Sequence, residues 1–182
     1  MKMNKKTHSL VFIALFGAII SIISIIPTGI YILGVPATLQ TFAVAITAYL
    51  LGSKNGTKAT LIYILLGLVG LPVFSGFKGG PGVVFSVTGG FIIGFIPFSF
   101  LLGVAKQYKN KVKIAVVSFL GLLVCYTIGI VWFAAVSKTS IITAFLVVAL
   151  PYFPKDMLLI FAAYIVAGKL KRSVKILESE WR

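Results

Sequence analysis

The sequence predicts an all-α membrane protein, with six transmembrane helices in a single bundle and both termini cytoplasmic. Three observations predict it. Of 182 residues, 59% are apolar and only 11% are charged, whereas a soluble domain keeps about a quarter of its residues charged to hold a hydrated surface. Apolar stretches of about 20 residues, the length that crosses a hydrocarbon layer of about 30 Å, recur along the chain. The charges fall in the short segments between those stretches, and most are lysine.

Taken in order, the apolar runs predict spans over 9–33, 37–52, 57–75, 83–105, 113–137 and 152–170. The first run is too long for the apolar region of a signal peptide and lacks a small-residue cleavage site, so it reads as a permanent helix. Within it Ala14 and Ala18 form a small-xxx-small pair beside Gly17, a pattern that lets another helix approach closely. Whether that helix belongs to this chain or to a partner is open at this level. The second span is short, and the apolar run between Ser137 and Leu150 reads as a short helix over the outer face. No Gly/Ser-rich or Pro-rich linker divides residues 1–182, which predicts one domain.

Charge placement gives the orientation. With both termini inside, the cytoplasmic side receives Lys2, Lys5, Lys6, Lys54, Lys58, Lys106, Lys109, Lys111, Lys113, Lys169, Lys171, Arg172, Lys175 and Arg182. The outer side receives only Lys78 and Lys138, and Lys155 falls inside the last span. Such an excess follows the rule that basic loops stay in the cytoplasm, and it predicts a multi-pass protein of the cell membrane. The net charge of +14 is therefore a topology signal and an attraction to anionic headgroups of the lipid bilayer. Lysines scattered over separate loops do not build a nucleic-acid groove.

The chemistry is bounded by what the sequence lacks. A single cysteine, Cys125, excludes an intramolecular disulfide and a thiolate zinc cluster. The one histidine, His8, lies at the end of the first span, and Glu178 and Glu180 lie in the polar tail. There is no His/carboxylate pair, no nucleophile with a base and no phosphate-cradling lysine motif. The expectation is a protein that is not an enzyme, has no catalytic residues, metal or cofactor, and does not hydrolyse ATP by itself.

One acid remains. Asp156 lies beside Lys155 in an apolar stretch, where a carboxylate costs on the order of 3 kcal/mol unless it has a partner or a wet cavity. Two readings stand side by side: Asp156 belongs to the first turn of a helix that starts near Pro154, or it faces a polar pocket and binds a ligand donor. A second unusual place is Gly70 to Gly82, with five glycines and two prolines in thirteen residues, which cannot continue a helix. Non-helical backbone near a bilayer lines a cavity or is buried in protein, so this segment is either a tight packing turn or a loop that brings amides to a ligand. Thr38, Gln40 and Thr41 form a third place, at the outer end of the second span. All three are expected to open on one side.

These segments carry a family resemblance. Pro36-Ala-Thr-Leu-Gln-Thr-Phe42, Gly70-Leu-Pro-Val-Phe-Ser-Gly76 with Gly79-Gly80, Thr88-Gly-Gly-Phe-Ile-Ile-Gly94, Gly129-Ile-Val-Trp132 and Pro151-Tyr-Phe-Pro-Lys-Asp156 occur in that order. The sequence resembles the BioY family, the biotin-binding S components of energy-coupling factor (ECF) transporters, along nearly its whole length. The resemblance implies a six-helix substrate-capture subunit with an outward pocket. It further implies an ECF transmembrane coupling protein and two cytoplasmic ATPase subunits as partners, with the face of Ala14 and Ala18 docking on the coupling protein.

It also implies a site. Asp156, Thr38, Gln40 and Thr88 are expected to hold the bicyclic ureido group, Trp132, Phe74 and Tyr152 to pack the apolar parts, and Lys155 or Lys78 to meet the carboxylate, with Gly79 and Gly80 in the shaped loop. The chain departs from the family pattern at three places. Lys155 replaces a glycine, Leu159 stands where the family carries a lysine, and Ser86-Val87 replace Gly-Pro before Thr88. Biotin is the first choice of ligand, with lipoate or another vitamin as the alternative. A stand-alone solute transporter is the reading from outside the family, and it would more often show inverted repeats or a polar through-path, neither of which is clear in the sequence.

Overall fold

The computed structural model describes the backbone of residues 5–32 and 35–180 and the side chains of residues 6–26 and 37–171. Helices dominate it and occupy most of each apolar stretch, although the expected run 83–105 is continuously helical only from Gly89 to Ala105. α1 spans Lys5–Ile25 and stops short of the expected residue 33, because Pro27 follows and proline disfavours helix at the residue before it. In place of the last turns, β1 (Pro27–Ile32) and β2 (Val35–Thr38) pair antiparallel, with Pro27 opposite Thr38 and Ile32 opposite Val35.

α2 spans Gln40–Leu68 but is interrupted at Gly52, whose φ of 80° and ψ of 179° belong to a region open essentially only to glycine. The chain folds back there. In a straight helix Gln40 and Tyr63 would stand about 35 Å apart, yet the Gln40 amide donates to the Tyr63 hydroxyl at 2.7 Å. The two limbs fall within the expected runs 37–52 and 57–75, but the second ends at Leu68 rather than 75, because the glycine- and proline-rich segment from Gly70 cannot continue a helix. The Lys106 ammonium donates to the Leu50 carbonyl that the reversal frees.

The remaining elements are α3 (Pro81–Val84), α4 (Gly89–Ala105), α5 (Lys111–Ser137), α6 (Ile141–Ala144) and α7 (Phe153–Glu180). Asn110 starts α5 by accepting from the Val112 amide at 2.8 Å, which satisfies one otherwise orphaned donor. α6 continues as one π-helical turn, Phe145–Ala149, so the expected short helix is present, joined to α7 through a 49° bend.

Among the described residues two helices, Lys6–Ile25 and Lys111–Ser137, are by themselves long and apolar enough to cross a membrane, and the bent pair Ile141–Ala149 with Phe153–Lys171 makes a third if it is one span. Six equal crossings are therefore not evident helix by helix. The limbs of α2 are shortened by the reversal and carry Lys54 and Lys58, and α4 has only 17 residues.

Close contacts hold the bundle. A Cβ on Gly94 would lie 2.9 Å from the Cys125 sulfur and 3.0 Å from its carbonyl oxygen, and one on Gly90 would lie 2.8 Å from the Trp132 ring. These glycines let α4 and α5 meet almost backbone to backbone, the packing mode that replaces the hydrophobic effect where the solvent is lipid. Gly17 similarly faces α2, 3.1 Å from Ile62 by the same construction, whereas Ala14 and Ala18 are exposed. The small-xxx-small pair is thus not consumed by packing within the chain.

The bundle has two chemically different ends. Gly76 donates to the carbonyl of Ile25, which puts the far end of α1 beside the glycine-rich loop, and α2, α4 and α7 begin at that same end. Lys6, Lys54, Lys58, Lys106, Lys109, Lys111, Lys113, Lys169 and Lys171 gather at the opposite end. Lys78, Lys138 and Lys155 stay with the loop. The side chains of Lys2, Lys5, Arg172, Lys175 and Arg182 lie outside the described residues.

Candidate functional site

The three unusual places in the sequence line one cavity of about 390 Å³. Thr38 comes from the end of β2, Gln40 and Thr41 from the start of α2, Phe74, Ser75 and Lys78 from the glycine-rich loop, and Lys155 and Asp156 from the first turn of α7. Helix α4 adds Phe91 and Phe95, and α5 adds Leu122, Cys125 and Tyr126. Mostly apolar walls with a few convergent polar groups are the usual make-up of a small-molecule site.

Asp156 is the centre of the polar part. It is 7% exposed, and both its oxygens are taken by side chains. The Lys155 ammonium donates to Oδ1 at 2.6 Å, and the Tyr126 hydroxyl donates to Oδ2 at 2.6 Å. Lys155 also donates to the Thr38 carbonyl at 2.9 Å, which ties α7 to the end of β2. Pro154 suits the first turn of α7, since its missing N–H falls where no intrahelical partner exists. A carboxylate has about four acceptor positions, so two remain for a ligand. The first-turn reading and the ligand reading of Asp156 are therefore compatible.

Gln40 is 8% exposed. It accepts from the Thr38 hydroxyl at 3.1 Å and gives one amide N–H to Tyr63, so its second N–H stays available. Ser86 and Thr88 share a hydrogen bond at 3.1 Å. Aromatic rings brace this wall: Phe74 meets Tyr63 edge-on at 5.5 Å, and Tyr126 meets Phe91 and Phe153 at the same spacing. Such edge-to-face pairs orient rings as well as bury them.

The sequence matches the BioY family profile over residues 1–176. The chain belongs to the BioY family. It is 37% identical over 166 residues to the probable biotin transporter BioY of Pyrococcus horikoshii, covering 91% of this chain and 98% of that protein. It is 38% identical over 139 residues to the biotin transporter BioY of Thermotoga maritima, covering 76% and 82%. Its fold matches a crystal structure of the S-component for biotin from an ECF-type ABC transporter, with a TM-score of 0.83, 27% identity and coverage of 94% and 95%.

Within this BioY fold the expected site residues divide into two groups. Asp156, Lys155, Lys78, Thr38, Gln40, Phe74, Thr88 and Tyr152 line the cavity. Trp132, Gly79 and Gly80 do not. The Trp132 indole N–H donates to the Ser86 carbonyl at 2.9 Å, so the ring supports the 86–88 turn from behind. Gly79 is pressed on the glycine loop itself, where a Cβ would lie 2.8 Å from the Gly70 oxygen. Gly80, at φ 92°, donates its amide to Gly67 at 2.7 Å; this bond shapes the loop and points no amide at the cavity.

Two polar wall residues escaped the sequence reading. Tyr126 lies 30 residues from its partner Asp156, so no local spacing links them; a tyrosine in mid-span, which needs a partner for its hydroxyl, was the available signal. Ser75 has a buried hydroxyl without a hydrogen-bond partner. Leu159, in the place of the BioY lysine, is half-buried and off the cavity wall.

Proposed function

We propose that this protein is the substrate-capture subunit of an ECF-type importer and binds biotin in the cavity around Asp156. The observation that carries the reading is a buried carboxylate, held by Lys155 and Tyr126, in the wall of a ligand-sized cavity of a BioY fold. One ureido N–H of biotin is accepted by Asp156. The ureido oxygen takes the spare N–H of Gln40, and Thr38 and Thr88 stand nearby. Phe74, Phe91 and Tyr152 pack the fused rings. Each charge-assisted hydrogen bond contributes about 1.5–3 kcal/mol, so a few of them with apolar burial reach nanomolar affinity, about 12 kcal/mol.

All six long helical segments cross the membrane in this reading, with the cavity at the outer face and both termini in the cytoplasm. The gathering of basic residues at the end opposite the cavity supports that orientation. A chain without a nucleotide motif needs partners to couple ATP, namely a transmembrane coupling protein and two cytoplasmic ATPase subunits. The exposed Ala14 and Ala18 are the face of α1 offered to the coupling protein.

The test is mass spectrometry of the small molecule released on denaturing protein purified from cells supplied with biotin. Biotin at about one per chain is expected. Recovery of lipoate or another vitamin instead, with no biotin binding by calorimetry, contradicts the proposed ligand.

A further inference from the structure

Ser86 and Thr88 stand side by side in the cavity wall, in the turn that leads into α4. A serine hydroxyl has one proton and two acceptor positions, and at Ser86 all three are in use. The Ser86 oxygen lies 2.7 Å from the Val83 carbonyl; a carbonyl brings no proton, so Ser86 donates its own. It accepts from the Thr88 amide at 3.4 Å. The remaining contact, 3.1 Å between the two hydroxyl oxygens, has only the Thr88 proton to fill it.

Thr88 is left with lone pairs alone. It is also the N-cap residue of α4, where a threonine oxygen ordinarily accepts from the first turn of the helix, yet its side chain makes no capping bond. Those acceptor positions stay open to whatever occupies the cavity. The turn is pinned from behind, because the Ser86 carbonyl accepts from the Trp132 indole at 2.9 Å and from the Gly89 amide at 3.0 Å.

We infer that Ser86 is a positioning residue that fixes Thr88 as a pure acceptor, so that the cavity selects ligands in which two N–H donors flank one carbonyl. This rests on the proposed binding of biotin. Asp156 accepts one ureido N–H, Thr88 accepts the other, and Gln40 donates to the oxygen between them. Acceptor, donor and acceptor on three walls mirror the donor, acceptor and donor of a cyclic urea. A glycine at 86, the residue of the family pattern, has no hydroxyl to direct the Thr88 proton, so this polarity belongs to the present chain.

The test compares calorimetric titrations of biotin and its two cyclic carbamate analogues, in which a ring oxygen replaces one or the other ureido N–H. Wild-type protein is expected to bind one analogue about a hundredfold more weakly than biotin, where the oxygen meets Asp156, and the other about tenfold more weakly, where it meets Thr88. In Ser86→Ala the backbone bonds of the turn remain, the Ser86 amide to the Val83 carbonyl at 3.2 Å among them, and the Thr88 hydroxyl is free to donate. The second penalty then falls to about threefold or less while the first stays, and Ser86→Thr keeps both. Thr88→Val brings biotin and the second analogue within about threefold of each other. Penalties unchanged in Ser86→Ala or in Thr88→Val, a loss in Ser86→Ala shared equally by all three ligands, or a wild-type protein that penalises one analogue only, overturns the inference and leaves biotin capture intact. Wild-type protein that does not bind biotin overturns both.

Discussion

Asp156→Asn is expected to weaken biotin binding by about a hundredfold to a thousandfold, the largest loss from any single polar substitution in the cavity. The change keeps the shape and removes the charge. Lys155 then faces a neutral amide, and Tyr126 loses its ionised acceptor. An amide can turn its oxygen toward Lys155, but its NH₂ group then stands where the ligand's N–H needs an acceptor. The ligand's N–H loses a charge-assisted bond worth about 1.5–3 kcal/mol and meets an N–H in place of an acceptor. Calorimetry reads the loss, and Tyr126→Phe should show a smaller one because it deletes a single neutral donor. Affinity within threefold of wild type in Asp156→Asn protein would remove this residue from the site.

Gly94→Leu is expected to damage the fold by prying α4 and α5 apart. The nearest atoms to a new Cβ are the Cys125 sulfur, carbonyl oxygen and Cα at 2.9, 3.0 and 3.1 Å, and two of these are backbone. Backbone cannot rotate away, so α4 and α5 must separate. Overpacking of this kind costs about 3 kcal/mol or more, which lowers the thermal midpoint by about 6–12 °C in a chain of this size. Because Cys125 is otherwise buried, its alkylation by a maleimide in mild detergent should become fast in the variant and stay slow in wild type. A variant that keeps the wild-type midpoint and an unreactive Cys125 would contradict the backbone-to-backbone contact.

Much of this molecule is legible in its sequence because lipid leaves few alternatives. Apolar runs between lysine-rich turns marked each helix, and the glycine and proline clusters marked the irregular loop. The stop of α1 at Ile25 is less visible, since Ile25, Ile26 and Ile30 to Ile32 continue the apolar run and only Pro27-Thr28-Gly29 interrupts it. The reversal at Gly52 is legible as a hairpin, because separate runs over 37–52 and 57–75 with Lys54 and Lys58 between them already require the chain to turn back. In the site, residues with unusual chemistry for their surroundings were legible: Asp156, Lys155, Gln40 and Lys78 all reach the cavity. What could not be read was pairing at a distance. Nothing local says that Tyr126 meets Asp156 or that Lys155 reaches Thr38, and motif membership alone does not separate a wall residue from one that braces it, as Trp132 does.

The arrangement also explains how a chain with Leu159 keeps the chemistry of the carboxylate. Lys155, adjacent in sequence and in the same first turn, supplies the positive charge that makes burial of Asp156 tolerable. Its second bond, to Thr38, links the start of α7 to the segment leading into α2, so the counter-ion also joins two walls of the cavity.

The most direct test is a crystal structure of the protein with biotin bound. The account predicts the bicyclic head inside the cavity, with a ureido nitrogen within hydrogen-bonding distance of an Asp156 oxygen. Biotin lying elsewhere, or inverted with its carboxylate toward Asp156, would contradict it.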